Sequence, residues 1–145
     1  MVPRPIFRRH QTTSQTSGQQ VLKEAARVLK KGGDLIFTDP MQSANPSEQI
    51  QAVYKRIHLD SMGSFSWYEK TCNDIGLETV SIEDLTKHLI YHYGHVRSNL
   101  EKWQKAKSPL VSTEYVETML DGLKTWIKAG ESGDLNWGIL HFKKK

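Results

Sequence analysis

Apolar residues recur at helical spacing from Gln19 onward and then give way to a short continuous apolar run. The first pattern predicts an amphipathic helix, whose apolar positions are Val21, Leu22, Ala25, Val28 and Leu29. Gly32 and Gly33 follow it, and glycine pairs are typical of the left-handed turn that ends a helix. The apolar run at residues 35–38 predicts a strand buried on both faces of a parallel sheet.

The middle of the chain predicts two helices and a strand. Asn45 and Pro46 are typical of a helix start, so a helix is predicted from there to about residue 60. Ser66 has the spacing of a capping box and predicts the start of a second helix, which ends near Gly76. Alternating side chains in residues 77–82 then predict a strand.

The last third of the chain predicts two long helices and a final strand. Residues 84–105 have a helical pattern, and Ser108-Pro109 interrupts it. Ser112 can cap a further helix, which is ended by Gly130 and Gly133. Residues 135–142 predict the last strand. The order of elements indicates an α/β chain.

The first eighteen residues differ from the rest in composition. They contain Arg4, Arg8 and Arg9 but no acid, a composition also found in organelle transit peptides. They also contain two prolines and almost no apolar periodicity. We therefore predict that residues 1–18 are a disordered or incorrectly assigned leader, with organelle targeting as the alternative, and that residues 19–145 form the domain.

Composition narrows the classes of protein that fit. A chain of 145 residues with 37% hydrophobic residues suits one globular domain, and no apolar run approaches a membrane span. The net charge of +4 is concentrated at the two ends and is not interleaved with aromatic residues, which argues against a nucleic-acid partner. Cys72 is the only cysteine, so neither an internal disulfide nor a multi-cysteine zinc site can form. A cytoplasmic protein is expected.

Residues 26–39, A-R-V-L-K-K-G-G-D-L-I-F-T-D, resemble the helix, double-glycine turn and fifth strand of class I S-adenosylmethionine-dependent methyltransferases. Shorter motifs resemble the sarcosine/dimethylglycine N-methyltransferases that build glycine betaine: D-P-M at 39–41, R-I-H-L at 56–59, M-G-S at 62–64, H-Y at 92–93, W-I at 126–127 and L-N-W-G at 135–138. The resemblance implies the carboxyl-terminal half of such an enzyme. It further implies a partial Rossmann-like methyltransferase fold, with the later strands of a mostly parallel sheet and inserted lid helices.

The resemblance also implies a reaction. It implies S-adenosylmethionine as cofactor and a small-molecule amine as substrate. The sequence contains no G-x-G-x-x-G loop, so no cofactor-binding residue can be assigned and the enzyme is expected to be incomplete. The alternative is a non-catalytic fragment or interaction module. A half sheet would have an open strand edge beside residues 35–38, which predicts self-association or a complementing chain.

Candidate substrate-binding residues follow from the chemistry of a small amino acid. Arg56 lies in the motif that resembles the family, and its planar fork can grip a carboxylate; the alternative is a solvated arginine. Asp39 follows the strand where ligands bind in open α/β sheets, with a capping or loop role as the alternative. Met62 either lines the cavity or packs the core. Aromatic faces can hold a quaternary ammonium, and Tyr93 and Trp137 are taken from a pool that also includes Trp67, Tyr68 and Tyr91.

Two histidines are candidates for proton transfer. His92 or His58 could orient the carboxylate or accept a proton near neutral pH, although histidines are more often structural. His88, His92 and His95 share helical spacing, but no acid pattern accompanies them, so no metal site is predicted.

Overall fold

The computed structural model describes residues 15–106 and 111–145. These residues form, in chain order, α1 (Gln15–Val28), β1 (Asp34–Gln42), α2 (Ile50–Ile57), α3 (Phe65–Asp74), β2 (Leu77–Asp84), α4 (Thr86–Lys105), α5 (Thr113–Ser132) and β3 (Leu135–Lys144). The α/β class and the order of elements that the sequence predicts are confirmed. Most of the predicted leader and the Ser108-Pro109 interruption lie outside the described residues.

The three described strands form one sheet in the order β1-β3-β2. Both pairings are antiparallel, so the prediction of a mostly parallel sheet is wrong for these strands. The reason is that β3, the last strand along the chain, lies between β1 and β2 and runs opposite to both. β1 is the edge strand of the described sheet, as the sequence predicts.

One face of the sheet is buried against α1 and α3. Met41, Leu140 and Phe142 are fully buried there, with Leu35 and Phe37 packed beside them. The opposite face of β1 is open over part of its length, since Ile36 is 61% exposed. The prediction that this strand is buried on both faces is therefore wrong. Side chains alternate along a strand, and the helices of the described residues cover the second face at the end that holds Leu135 and Trp137.

A second core joins α2, α4 and α5 to the end of β3. It includes the buried side chains of Val53, Leu89, Trp126 and Leu135. Helices α4 and α5 approach closely at Gly130, where an added Cβ would lie 2.8 Å from Ile90 Cγ1. In the described ranges, no helix is both long and apolar enough to cross a bilayer.

Helix starts differ from the sequence prediction where tertiary contacts compete with local signals. α2 begins at Ile50 and not at residues 45–48, because the Asp134 carboxylate accepts hydrogen bonds from the amide and hydroxyl of Ser47 and holds that segment in turns. α3 begins after Ser64, whose Oγ accepts from Trp67 N at 3.1 Å, so the predicted cap Ser66 is wrong.

The last helix matches its signals closely, whereas α1 begins at Gln15, four residues earlier than predicted and inside the predicted leader. α1 buries Leu22 and Ala26, whereas Val21 and Val28 are more than 60% exposed, so the buried stripe is narrower than the predicted apolar face. Ser112 caps α5, as predicted, by accepting from Tyr115 N at 3.2 Å. Gly133 ends α5 in the left-handed conformation with φ 86°.

Candidate functional site

A cavity of about 390 Å³ lies where α4 crosses the ends of β1 and β3. We call it the aromatic cavity, and its lining residues are Pro40, His88, Leu89, His92, Tyr93 and Trp137. Three residues that the sequence singled out, His92, Tyr93 and Trp137, therefore lie together. No carboxylate side chain is among the lining residues.

The strands and the start of α4 fix the position of this cavity. Pro40 and Trp137 are direct partners in the β1–β3 ladder, so their side chains lie next to each other on one face of the sheet. Thr86 Oγ1 accepts a hydrogen bond from Trp137 N at 3.1 Å, and Leu85 N donates to Trp137 O at 2.8 Å. Asp84 in turn accepts from Thr86 N at 2.9 Å. These hydrogen bonds hold the first turn of α4 next to Trp137.

Aromatic rings pack edge to face around Tyr93. Its ring centroid lies 5.2 Å from that of His92 and 5.1 Å from that of Trp126, with interplanar angles of 65° and 69°. Burial raises the pKa of the Tyr93 hydroxyl, and the nearby charge of Arg56 opposes that rise. A half-buried wall of aromatic faces without a carboxylate suits a ligand whose positive charge carries no N–H donor.

Arg56 lies in a second cavity, a groove of about 400 Å³ between α2 and α5. We call it the cationic groove; it is lined by Ala52, Lys55, Arg56, Tyr115, Thr118, Met119, Gly122 and Thr125. The Arg56 guanidinium lies directly over Gly122, because a Cβ at that position would overlap Arg56 Nη1. Neither Arg56 nor Lys55 has an ion pair with an acid of the described residues.

The other candidate residues lie away from both cavities. Asp39 points to the opposite face of the sheet from Pro40, where Tyr68 donates a hydrogen bond to it at 2.5 Å. Met62 is buried in the second core, and its amide donates to Gln42 Oε1 at 3.1 Å. His58 is the left-handed residue that ends α2, with φ 56°. The structure thus does not bring Asp39, Met62 or His58 to the aromatic cavity.

His88 and His92 lie one helical turn apart at the rim of the aromatic cavity, and both side chains are exposed. Within residues 15–106 and 111–145, no group of three or more potential protein ligands is close enough together to hold a metal ion.

Asp39 and Tyr68 form a partly buried acid–phenol pair. Burial raises the pKa of the Asp39 carboxyl, and the hydrogen bond from Tyr68 partly offsets that effect. Burial also raises the pKa of the Tyr68 hydroxyl, and the charge of Asp39 raises it further. Because the raised Asp39 pKa means that burial penalises the carboxylate, this group contributes most to stability below about pH 4, its unfolded pKa, and that contribution is lost as pH rises through the folded pKa.

Asp39→Asn is expected to flatten this pH dependence, because the amide oxygen still accepts from Tyr68 and no charge is buried. The free energy of unfolding in urea, measured at pH 4 and pH 7, should show the variant gaining on the wild type as pH rises. Tyr68→Phe removes the hydrogen bond to the carboxylate and should cost about 2 kcal/mol at pH 7. Parallel pH profiles for wild type and Asp39→Asn would contradict the assignment.

Sequence reasoning missed several residues of the two cavities. His88 was considered only as a metal ligand, although its spacing of four from His92 places the two on one helix face. Pro40 was missed as a lining residue because its role depends on the ladder partner Trp137. Gly122 had a weak signal, since a glycine inside a helical pattern costs about 1 kcal/mol relative to alanine, but Gly94 has the same signal and no close contact.

Comparison with known proteins shows what this chain is similar to. No protein-family model matches it. It is 45% identical over 127 residues to the sarcosine/dimethylglycine N-methyltransferases of Halorhodospira halochloris and Aphanothece halophytica, and each match covers 87% of this chain and 46% of the relative. The chain therefore spans about half the length of these curated relatives.

Solved structures give the same picture. A crystal structure of a Galdieria sulphuraria protein, provisionally assigned as a sarcosine dimethylglycine methyltransferase, matches with a TM-score of 0.80 and 34% identity over 88% of this chain and 47% of that one. Phosphoethanolamine N-methyltransferase 2 of Haemonchus contortus, in complex with S-adenosylhomocysteine, shares the fold with a TM-score of 0.77 at 16% identity, over 87% of this chain and 29% of that one. This chain is thus a homologue, over 87% of its length, of the sarcosine/dimethylglycine N-methyltransferases, and it shares the fold of the matching part of the methyltransferase structures.

Proposed function

We propose that this chain supplies the acceptor side of an N-methyltransferase that acts on a small carboxylated amine of the sarcosine/dimethylglycine type. The observation that carries the proposal is the aromatic cavity. Tyr93 and Trp137 line it, and no carboxylate is among its lining residues. The names of the relatives support the same substrate class.

The reaction explains why an aromatic cavity is useful. Methyl transfer to an amine is an in-line displacement, so the protein must position an unprotonated nitrogen and exclude water. The last methylation produces a quaternary ammonium, which has no N–H and is best held by aromatic faces. The walls formed by Trp137 and Tyr93 can hold this positive charge through ring electrostatics.

The two ends of the substrate require different groups. Arg56 is the residue proposed to bind the carboxylate, because its guanidinium has no acidic partner among the described residues. Its charge also lies close enough to the aromatic cavity to oppose the rise in the pKa of the Tyr93 hydroxyl. His92 lies at the exposed rim of the aromatic cavity and is the group placed to accept the proton that the ammonium must lose before methylation.

The described residues do not fit a complete cofactor site. In methyltransferases of this fold the methyl donor is S-adenosylmethionine, which the resemblance implies here. Glycine-rich loops let a backbone approach such a cofactor closely, yet residues 43–49 after β1 and Leu85 after β2 contain no glycine. We therefore assign no cofactor-binding residue and no step that passes through the cofactor to this part of the chain.

Calorimetric titration with glycine betaine, the trimethylated product, tests the proposal. Its matched control ligand is 3,3-dimethylbutanoate, which has the same shape but a neutral carbon in place of the nitrogen. A desolvated cation–π contact contributes about 2 kcal/mol, so betaine is expected to bind roughly tenfold or more tightly than the neutral isostere. Trp137→Leu should remove that preference, and Trp103→Leu, a tryptophan that does not line the cavity, should retain it.

Equal affinity for betaine and its isostere would refute the cation-binding role. Absence of binding by a folded chain would favour the non-catalytic interaction module. Transfer itself is measured by incubating the chain with S-adenosylmethionine and dimethylglycine and following the mass increase of the amine. Binding without transfer is the expected result for the chain alone, because its described residues provide no cofactor loop.

A further inference from the structure

Trp126 has a buried hydrogen-bond donor without an acceptor. Its side chain is only 6% exposed, and its indole Nε1 has no hydrogen-bond partner among the described residues. A buried tryptophan N–H normally finds a partner, because burial removes it from water. The residues that form the second core with Trp126, including Val53 and Leu89, are apolar, so they pack against its ring and offer no hydrogen-bond acceptor from their side chains. A phenylalanine ring could pack against the same residues and would bury no unpaired donor.

Trp126 lies beside both candidate substrate groups. Its ring packs edge to face on Tyr93, which lines the aromatic cavity. It is also four residues after Gly122 on α5, where the Arg56 guanidinium lies. Residues four apart share one helix face, and helical side chains lean toward the amino terminus. The indole of Trp126 therefore leans toward the turn of α5 that contains Gly122, against which the Arg56 guanidinium of α2 packs.

Each of the three polar groups in this region can donate a hydrogen bond. Arg56 has no ion pair within the described part of the chain, and the Tyr93 hydroxyl has no hydrogen bond there. Together with the Trp126 indole they provide donors from three elements, α2, α4 and α5; the indole and the guanidinium can only donate, whereas the hydroxyl can also accept. An anion of planar geometry is the ligand that satisfies such a set, since a carboxylate accepts through both oxygens.

We infer that Trp126 is a substrate-binding residue whose indole N–H donates to the carboxylate of an N-methylated amino acid, beside the guanidinium of Arg56. This inference rests on the proposed function and adds a consequence for substrate class. A donor that stays unpaired unless a carboxylate is present selects amino acids over amino alcohols with the same amine.

Indole resonances report this contact directly. The chain is labelled with nitrogen-15, its indole cross-peaks are assigned through the backbone, and it is titrated with dimethylglycine and with 2-(dimethylamino)ethanol, which has the same amine but no carboxylate. Dimethylglycine is expected to move the Trp126 indole proton to higher frequency, whereas the amino alcohol should move the Trp137 cross-peak alone. Trp126→Phe should weaken dimethylglycine binding about tenfold and change amino alcohol binding less than about twofold.

The outcomes separate this inference from the proposed function. If dimethylglycine moves Trp137 but leaves Trp126 unmoved, and Trp126→Phe binds dimethylglycine as the wild type does, then Trp126 is a packing residue and the cation site remains. If neither amine moves any indole cross-peak of the folded chain, both assignments are overturned. The wild-type titration decides the matter even where Trp126→Phe does not fold.

Discussion

Gly138→Ala is expected to destabilise the chain by roughly 3 kcal/mol, at the upper end of the usual cost of overpacking a core. A Cβ at this position would overlap the carbonyl oxygen of Glu83 on β2 and lie 2.8 Å from Phe65 Cζ on α3. A backbone carbonyl cannot rotate out of the way as a flexible side chain can, so the β2–β3 pairing must shift. Urea denaturation monitored by circular dichroism measures the loss.

The control for Gly138→Ala is Gly94→Ala. Gly94 lies inside α4, and an added Cβ there meets no atom within 4 Å. Alanine is the better helix former by about 1 kcal/mol, so this variant should be as stable as the wild type or more so. A Gly138→Ala protein within about 0.5 kcal/mol of the wild type would show that β2 does not approach β3 as closely as described.

The consequence of Gly138→Ala extends to the aromatic cavity. Gly138 is paired with Asp39 on one side and with Asp84 on the other, and Trp137 precedes it. Asp84 and Thr86 fasten the first turn of α4 to Trp137. A shift of β2 should therefore also separate α4 from Trp137 and weaken betaine binding.

Helix ends that are set by residues a few positions away could be predicted from the sequence. The cap Ser112 and the left-handed Gly133 bound α5 as expected, because capping bonds join residues only a few positions apart. The start of α2 could not be predicted this way. Ser47 is held by Asp134, 87 residues later in the chain, and that contact overrides the local preference of Asn45 and Pro46 for a helix start.

Strand direction was the largest error in the fold prediction. Apolar runs such as residues 35–38 are typical of parallel strands covered on both faces. The pattern does not show which strand lies next to which, and β3 reaches its place between β1 and β2 from the end of the chain. The exposure of Ile36 has a separate reason, because no described helix covers that part of the face.

Part of the candidate site could be predicted because resemblance identified the residues and the fold brought them together. His92 and Tyr93 lie on α4 and Trp137 on β3, and all three line one cavity. The position of Asp39 could have been derived from alternation alone. Once Phe37 and Met41 are core residues, Asp39 must share their face, opposite to Pro40. Trp126 lies in one of the motifs that resemble the family, but its unpaired donor is visible only in three dimensions.

Gly122→Ala should abolish the preference for carboxylated amines while leaving the fold intact. A Cβ at this position would overlap Arg56 Nη1 and approach Cζ, so the guanidinium must leave its place on α5. We expect dimethylglycine to bind at least about tenfold more weakly, the usual loss when a hydrogen bond to a charged group is removed. Titration calorimetry with dimethylglycine and 2-(dimethylamino)ethanol measures the change, and the amino alcohol should bind as before.

The helix itself should gain from the same substitution. Alanine in a helix interior is about 1 kcal/mol more favourable than glycine, and the atoms in the way belong to the far end of a flexible side chain. Stability and carboxylate binding should therefore change in opposite directions in Gly122→Ala, whereas Gly94→Ala should raise stability without affecting binding. If Gly122→Ala were less stable than the wild type, the contact of Arg56 with α5 would be one that stabilises the packing of α2 on α5. Unchanged dimethylglycine affinity, in that variant and in Arg56→Ala, would remove Arg56 from the substrate site.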